Sequence, residues 1–311
     1  MHTILGAGGA VANALTRELS GRNETIRLVS RKPVTGDAKN VSWQKADLLN
    51  AADIMQAAKG STVIYLTAGL VYDKKIWAAQ WPVVMQNAID AAKETGARLI
   101  FFDNVYSYGL VNGPMTEDTP YNPCSKKGEI RAKIATNLMD EAKAGNIRAS
   151  IARAADFYGT ENLNGILDIM ALDKFAKKQK AQWIGDPGKL HNFSYIPDMG
   201  KGMYLLGQSY DSDNQIWHMP TAPAQTGKQF IEMAAKVYGV EPKYFAIKKY
   251  MMNLFGVFNK PVAEIAEMYY QYDHDYIFDS SKFEKAFNMR PTSYEAGIKT
   301  MAETLYKPAA K

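Results

Sequence analysis

Apolar residues follow two different spacings along the first half of the chain. Short, nearly unbroken apolar runs alternate with longer stretches in which apolar residues recur every three or four positions. The first spacing is typical of buried strands and the second of amphipathic helices. The predicted strands are residues 3–5, 25–29, 40–44, 62–66, 98–102 and 149–153. This alternation predicts an α/β fold with a doubly wound parallel sheet.

Turn-forming residues bound the predicted helices. Asn50 opens one helix as its N-cap and Gly60 ends it, while a long helix runs from Lys74 to Thr95 with Gly96 as its stop. In doubly wound sheets, ligands bind at the carboxyl ends of the strands. We therefore expect the functional residues in the loops that follow the strands.

The first predicted strand runs through three glycines directly into a helix. Glycine lets the backbone approach a pyrophosphate closely, and the amides at a helix N-terminus bind its negative charge. The sequence therefore predicts a dinucleotide-binding turn, and the alternative is an ordinary strand-to-helix turn that binds no ligand. The predicted contacts are Gly6, Ala7, Gly8, Gly9, Ala10 and Val11.

The second predicted strand ends at Ser30-Arg31-Lys32. Enzymes that use NAD usually carry an acidic residue there, which accepts from the ribose 2′-hydroxyl. A hydroxyl and two cations suit a 2′-phosphate instead. We therefore predict NADP(H) as the cofactor and favour it over NAD(H); the alternative is a solvated basic loop.

The second half of the chain has a different character. Aromatic residues are concentrated after Asp156, in short segments of mixed spacing. Most of them are expected to pack in a core, but such a surplus also suits an apolar pocket. We predict a Rossmann domain in residues 1–155 and a smaller substrate-binding lobe in residues 156–311, with segments near 194–219 returning to the core.

Composition limits the classes of partner. The 311 residues carry a formal net charge of +5 without a basic cluster, so we predict no nucleic-acid partner. The apolar runs are far shorter than the ~20 residues of a membrane helix, and no signal peptide precedes the first strand. We therefore expect a cytoplasmic protein with no membrane partner. The single cysteine, Cys124, excludes an internal disulfide, and the four histidines show no metal-ligand spacing, so no metal is predicted.

Several short motifs follow the predicted strands in order. After the glycine turn come Asp47-Leu48, Thr67-Ala68-Gly69, Tyr108-Gly109, Arg-Ala-Ala-Asp-Phe-Tyr-Gly at 153–159 and Phe-Ser-Tyr-Ile-Pro-Asp at 193–198. With these motifs the chain resembles an extended short-chain dehydrogenase/reductase of the NAD-dependent epimerase/dehydratase family. The resemblance implies that Asp47 and Leu48 contact the adenine. It also implies further cofactor contacts at Thr67, Ala68, Gly69 and Ala155.

The usual catalytic residues of that family are absent. Extended members use an Asn, a Ser or Thr, and a Tyr four residues before a Lys, but no Tyr-x-x-x-Lys occurs between residues 103 and 145. Trp81 stands where the Asn would fall, and Asn104 stands where the Ser or Thr would. On the following helix, Lys127 replaces the Tyr and Arg131 replaces the Lys.

These replacements predict an atypical active site in an NADP(H)-dependent oxidoreductase that acts on a small carbonyl-type substrate. Lys127 would donate a proton or hold the developing negative charge, as a lysine does in members that resemble isoflavone reductase. Asn104 would hold the acceptor oxygen, Arg131 would set the local charge, and Tyr106 is the reserve proton donor. Asn104 and Lys127 are also predicted to contact the cofactor. The alternative for Lys127 is a solvated residue on the outer face of the helix.

The predicted substrate contacts come mainly from the second half. They are Tyr108, Tyr158, His191 and Tyr195. A position of His191 on the protein surface is the alternative for that residue. For Tyr108, the alternative is a side chain that only packs under the lobe.

Two other functions stay open at this point. One is a regulator that binds NADP(H) without turnover, and the other is a nucleotide-sugar epimerase or dehydratase. Because extended members often pair through two helices, which in this chain are those near Lys74 and Lys126, a homodimer is one assembly that the resemblance implies.

Overall fold

The computed structural model describes residues 1–34, 38–161 and 165–307. The chain forms two compact units. The first comprises residues 1–107, 126–154 and 199–219, and the second comprises residues 108–125, 155–198 and 220–311. Compared with the predicted division after Ala155, residues 108–125 join the second unit, and the returning segment is limited to 199–219.

Strands and helices follow one another along the whole described chain. The strands are β1 (His2–Leu5), β2 (Ile26–Ser30), β3 (Val41–Lys45), β4 (Val63–Leu66), β5 (Arg98–Asp103), β6 (Pro114–Met115), β7 (Ala149–Arg153), β8 (Asp156–Tyr158), β9 (Ala181–Ile184), β10 (Leu190–His191), β11 (Phe193–Tyr195), β12 (Gln215–His218), β13 (Gln225–Thr226), β14 (Tyr244–Ile247) and β15 (Ile277–Phe278). The helices are α1 (Ala10–Gly21), α2 (Ala51–Ala58), α3 (Lys74–Thr95), α4 (Lys126–Lys143), α5 (Asp173–Ala176), α6 (Ile196–Gln208), α7 (Gly227–Tyr238), α8 (Lys249–Gly256), α9 (Lys260–Ala266), α10 (Ser281–Phe287) and α11 (Tyr294–Thr304).

In the described residues of the first unit, seven strands form one sheet in the order β12-β7-β5-β4-β1-β2-β3. Every neighbouring pair in this sheet is parallel. Strands β1, β4 and β7 are buried along their whole length, as expected of a parallel sheet that is covered on both faces. The predicted doubly wound α/β fold is therefore confirmed.

The order of the strands reverses at β1. The chain builds β2 and β3 on one side of β1 and then crosses to β4 on the other side. The carboxyl ends of β1 and β4 therefore flank the switch point at which doubly wound sheets bind their ligands. The glycine turn after Leu5 and the Thr67-Ala68-Gly69 segment after Leu66 both lie there.

The second unit is built from short strand pairs and helices around aromatic side chains. The pairs are β6 with β15, β8 with β11, β9 with β14 and β10 with β13. Trp183 stacks on Phe230 with a ring-centroid distance of 6.1 Å, and Phe193 meets Phe230 edge-on at 5.0 Å. These aromatic residues therefore form the core of the unit.

In the part of the chain that the structure describes, none of the helices combines the length and the apolar character needed to cross a bilayer.

Candidate active site

The glycine turn leaves the start of α1 open. Gly6 and Gly8 have φ angles of +90° and +96°, a conformation that favours glycine. Gly9 is the N-cap of α1 and provides no side-chain cap for the first backbone amides of the helix. A Cβ added at Gly9 would have no described heavy atom within 4 Å. The turn therefore offers amide donors and free space to an anionic group.

The loops after β1 and β4 are joined at the switch point. The Thr67 amide and hydroxyl both donate to the Leu5 carbonyl, at 2.9 Å and 3.2 Å. A Cβ at Gly6 would lie 2.7 Å from the Ala68 backbone nitrogen. Two predicted groups of cofactor residues, the glycine turn and Thr67-Ala68-Gly69, are thus brought together.

The end of β2 presents exposed cations. The Ser30 hydroxyl donates to the Lys32 carbonyl at 2.6 Å and accepts from the Trp43 indole at 3.0 Å. Arg31 and Lys32 are both exposed. The hydroxyl is therefore used within the turn, whereas the two charged side chains face solvent.

The Asp47-Leu48 segment is held by neighbouring polar groups. The Asp47 amide donates to the Asp53 carboxylate at 2.9 Å. The Asn87 side chain, from the buried side of α3, donates to the Leu48 carbonyl at 2.9 Å. Sequence reasoning did not identify Asn87, because the segment that it supports lies 39 residues away.

Lys127 occupies the first turn of α4 and is fully buried. Its Nζ lies 4.5 Å from the ring centroid of Tyr72. The hydroxyls of Tyr72 and Tyr106 are 3.2 Å apart, and Tyr106 also stacks on Trp77. The alternative of a solvated Lys127 on the outer face of the helix is therefore wrong. Tyr72 escaped sequence reasoning because it follows β4, far from α4 in the chain.

Arg131 belongs to a buried charge cluster. Its Nη2 lies 2.6 Å from Asp103 Oδ1, while Arg153 Nη2 lies 2.9 Å from Asp103 Oδ2. The Arg131 guanidinium also lies 4.4 Å from the ring centroid of Trp81. The charge of Arg131 is thus opposed directly by a carboxylate. Sequence reasoning missed this carboxylate, although Asp103 directly follows the predicted strand 98–102.

Asn104 is part of the turn that follows β5. Its backbone amide donates to Asp103 Oδ1 at 2.8 Å, and its Oδ1 accepts from the Tyr106 amide at 3.1 Å. The side-chain oxygen is therefore used by the turn. The side-chain nitrogen, which is a donor, is the atom that suits a contact with an acceptor oxygen.

In the second unit, Tyr158 and Tyr195 face each other on the paired strands β8 and β11. Their ring centroids are 5.1 Å apart. Burial raises the pKa of the Tyr158 hydroxyl well above its usual value and also raises the pKa of Tyr195. Both are therefore neutral phenols near pH 7. Ala155 is buried directly before β8.

Tyr108 is buried and lies near Tyr121, with ring centroids 6.0 Å apart. It thus packs within the second unit. Its predicted substrate contact stays a prediction.

His191 is buried rather than on the surface, so the surface alternative is wrong. Its Nε2 lies 3.1 Å from Asp156 Oδ2, and the same oxygen accepts from the Tyr272 hydroxyl at 2.6 Å. The imidazole also stacks on Tyr272 and Tyr276, at centroid distances of 5.1 Å and 4.3 Å. Sequence reasoning did not pair His191 with Asp156, Tyr272 or Tyr276, because each lies 35 or more residues away from it in the chain.

Comparison with known proteins assigns the chain to a family. The sequence model described as "NAD dependent epimerase/dehydratase family" matches residues 2–219. The chain belongs to the NAD-dependent epimerase/dehydratase family. The resemblance inferred from the motifs is therefore confirmed. The prediction of an enzyme of the oxidoreductase or epimerase/dehydratase type is confirmed at the level of this family.

Solved structures share the fold of this member of the NAD-dependent epimerase/dehydratase family. A Thermus thermophilus UDP-glucose 4-epimerase in complex with NAD is 16% identical, with 100% of both chains covered and a TM-score of 0.77. A Thermotoga maritima UDP-glucose 4-epimerase with UDP-glucose is 15% identical, with 97% and 98% covered and a TM-score of 0.79. A Streptomyces venezuelae dTDP-glucose 4,6-dehydratase double mutant with NAD and DAU bound is 14% identical, with 98% and 97% covered and a TM-score of 0.75. A search of curated proteins finds no matching sequence.

Proposed function

We propose that this chain is an NADP(H)-dependent oxidoreductase that acts on a small carbonyl-type substrate, with Lys127 in place of the family's usual tyrosine. The proposal rests above all on one observation: the fully buried Lys127 lies against the ring of Tyr72, whose hydroxyl is 3.2 Å from that of Tyr106. When bound, NADP(H) would supply or accept the hydride. The remaining chemistry is proton transfer and charge stabilisation, which side chains can provide.

The proposed cofactor residues fit a phosphorylated dinucleotide. Gly6, Gly8 and Gly9 would hold the pyrophosphate beside the open amides of α1, with Ala7, Ala10 and Val11 completing the turn. Asp47 and Leu48 would contact the adenine, and Thr67, Ala68, Gly69 and Ala155 would line the rest of the cofactor site. The solved relatives named with a cofactor contain NAD. In this chain, the exposed Arg31 and Lys32 after β2 favour the 2′-phosphate of NADP(H).

The burial of each polar group indicates which one donates the proton and which one stabilises charge. Lys127 has no exposed surface, whereas the Tyr72 side chain is 37% exposed. We therefore assign direct proton donation to the Tyr72–Tyr106 hydroxyl pair. The Lys127 ammonium would stabilise negative charge on Tyr72. Asn104 would orient the acceptor oxygen through its side-chain nitrogen, and Arg131 would hold Asp103 and the helix in place.

A small substrate with little charge suits the proposed substrate residues. Tyr108, Tyr158 and Tyr195 present buried aromatic surface, and His191 is paired with the Asp156 carboxylate. A carboxylate disfavours a diphosphate nearby, because like charges repel. Nucleotide-sugar epimerisation or dehydration is the second candidate, and the names of the structural relatives favour it.

A substrate screen tests the proposal. Purified protein is mixed with NADPH or NADH and a panel of ketones, enones and aldehydes, and separately with NADP+ or NAD+ and UDP- or dTDP-sugars. Cofactor oxidation and sugar products are measured. We expect NADPH oxidation with a small carbonyl or enone. Conversion of nucleotide sugars without net NADPH oxidation would favour the second candidate. Tight NADPH binding without turnover across the panel would instead indicate a regulator.

A further inference from the structure

Helix α8 carries apolar side chains on two opposite faces. Met252 is buried in a small core with Ile184 and Tyr272. Tyr250 and Leu254 lie one turn apart on the other side of the helix and are 72% and 63% exposed. Large apolar side chains on an exposed helix face are typical of surfaces that contact protein or lipid. We therefore expect the outer face of α8 to contact another protein or a membrane.

The apolar surface continues into the turn between α8 and α9. Phe255, Val257 and Phe258 are 60%, 74% and 88% exposed. The turn is nevertheless well defined, because the Phe258 amide donates to the Phe255 carbonyl and the Asn259 side chain caps α9. A phenylalanine with this exposure projects into solvent instead of lining a groove.

The apolar residues are concentrated in this part of the chain. Of the fifteen large apolar side chains that are exposed in the described ranges, seven lie between Tyr244 and Phe258. Such a concentration of exposed apolar side chains in one segment is typical of contacts with membranes or with other proteins. The charges around the surface distinguish between these two occupants.

Lysines are the charged residues of this segment. No acidic residue occurs between Pro242 and Ala263, whereas four exposed lysines do: Lys243, Lys248, Lys249 and Lys260. Asp186 and Asp273 line an open depression of about 600 Å³ together with Lys248 and Lys249, so the acidic groups lie beside α8 and outside the segment. A second copy related by two-fold symmetry would place the same lysine-rich surface against itself, which like-charge repulsion disfavours.

We propose that residues 243–260, which we call the α8–α9 patch, bind the surface of a membrane that contains anionic lipids. The apolar side chains would enter the boundary between headgroups and acyl chains, and the lysines would lie at headgroup level. This is attachment to one face of the membrane and needs no spanning helix. It therefore differs from the sequence-based expectation of no membrane partner, which considered only segments long enough to span a bilayer. The proposal is independent of the proposed oxidoreductase activity.

Vesicle co-sedimentation of the full chain tests the α8–α9 patch. We expect binding to phosphatidylcholine vesicles that contain phosphatidylglycerol, much weaker binding to pure phosphatidylcholine, and loss of affinity as salt rises. Leu254→Ser should weaken binding by about tenfold or more, since it removes one apolar side chain that would be buried in the membrane. Leu305→Ser, which changes an exposed leucine at the end of α11, is the matched control and should leave binding unchanged.

Two double variants separate the apolar contribution to vesicle binding from the electrostatic one. Phe255→Ser combined with Phe258→Ser should abolish sedimentation, and Lys248→Gln combined with Lys249→Gln should weaken it by about 25-fold on anionic vesicles only. The proposal is overturned if the wild-type protein does not bind anionic vesicles. It is also overturned if the double phenylalanine variant binds them as strongly as the wild type. Light scattering is measured in parallel. A wild-type dimer that this variant converts to a monomer, without vesicle binding by either, would show that a second copy covers the patch.

Discussion

Gly6 and Ala68 approach so closely that residue 6 cannot carry a side chain. An added Cβ would overlap the Ala68 Cα and lie 2.7 Å from its backbone nitrogen, and Gly6 already has a φ of +90°. The loops after β1 and β4 are fixed against each other in this way at the switch point of the sheet. Gly9, three residues later, has open space around it.

This contrast predicts different effects for two substitutions. Gly6→Ala should lower the free energy of unfolding by more than about 1 kcal/mol, because of its φ and the overlap with Ala68. Gly9→Ala should fold normally, since its φ of −81° suits any residue. Its methyl group would nevertheless block the approach of a pyrophosphate, and NADPH affinity should fall by about tenfold or more. Urea unfolding and calorimetry measure the two effects. Normal NADPH binding by Gly9→Ala would argue against the proposed pyrophosphate position.

Arg31 should discriminate between the two nicotinamide cofactors. Arg31→Ala should weaken NADPH binding by about 1.5–3 kcal/mol, the range for a hydrogen bond to a charged group, and leave NADH binding nearly unchanged. Arg22→Ala is the control, because Arg22 is an exposed arginine that pairs with Glu18 at the end of α1. Calorimetry with both cofactors provides the test. Equal losses for NADPH and NADH would contradict a contact with the 2′-phosphate.

Neighbouring lysines on α4 give a matched pair of variants. Lys127→Met should reduce turnover by about 100- to 10,000-fold and leave NADPH affinity nearly unchanged, because a buried charge that assists proton transfer is lost. Lys126→Met should keep full activity, since Lys126 is exposed and pairs with Glu129. Steady-state rates and cofactor titrations measure both variants. Full activity in Lys127→Met would rule out the proposed role.

Tyr72→Phe and Tyr106→Phe identify the proton donor within the hydroxyl pair. The variant that lacks the donating hydroxyl should lose turnover on the scale of general acid catalysis, about 100-fold or more, while the other should lose less. The pH dependence of kcat is recorded for each variant. If both variants retain wild-type rates, the proton comes from another group.

Asp103 should be important for stability. Asp103→Asn removes the negative charge between Arg131 and Arg153, leaving two buried guanidinium groups without their carboxylate. We expect a loss of about 3–5 kcal/mol in the free energy of unfolding. Asp140→Asn, at an exposed position on α4, should change this free energy by less than about 0.5 kcal/mol. A small effect at Asp103 in urea unfolding would show that the cluster is solvated or rearranged in solution.

His2 should make stability depend on pH. Burial lowers the pKa of His2, an effect that the nearby Glu24 partly opposes. Below about pH 6.5, the unfolded chain gains a proton at His2 that the folded protein resists, so stability falls as pH falls. Above pH 7, His2 is neutral in both the folded and the unfolded state, and the free energy of unfolding is not reduced by its protonation. His2→Phe should therefore flatten the stability profile between about pH 7 and pH 5, as measured by urea unfolding across that range. A steeper profile in the variant would contradict this sign.

The sequence by itself determined the elements and the turn chemistry of the first unit. Helix α3 runs from Lys74 to Thr95 as predicted, because Asp73 caps its first amides and Gly96 takes the left-handed conformation that ends it. These signals lie within a few residues of the positions that they control. The same holds for the glycine turn, where strand, glycines and helix follow one another in the chain.

The tertiary structure decided which charges and hydroxyls meet. Tyr72 and Lys127 are separated by 55 residues, and the arginines that bind Asp103 are 28 and 50 residues away from it. Such contacts depend on the order of strands in the sheet, which places the ends of β4 and β5 beside the first turns of α4. The burial of Lys127 could not be predicted from the sequence either. A lysine at a helix start is usually solvated, and only the packing around Lys127 excludes water. Local hydrogen bonds form between residues that are neighbours in the sequence, so the sequence predicts them. Charge pairing and desolvation depend on residues that are distant in the sequence and that folding brings together.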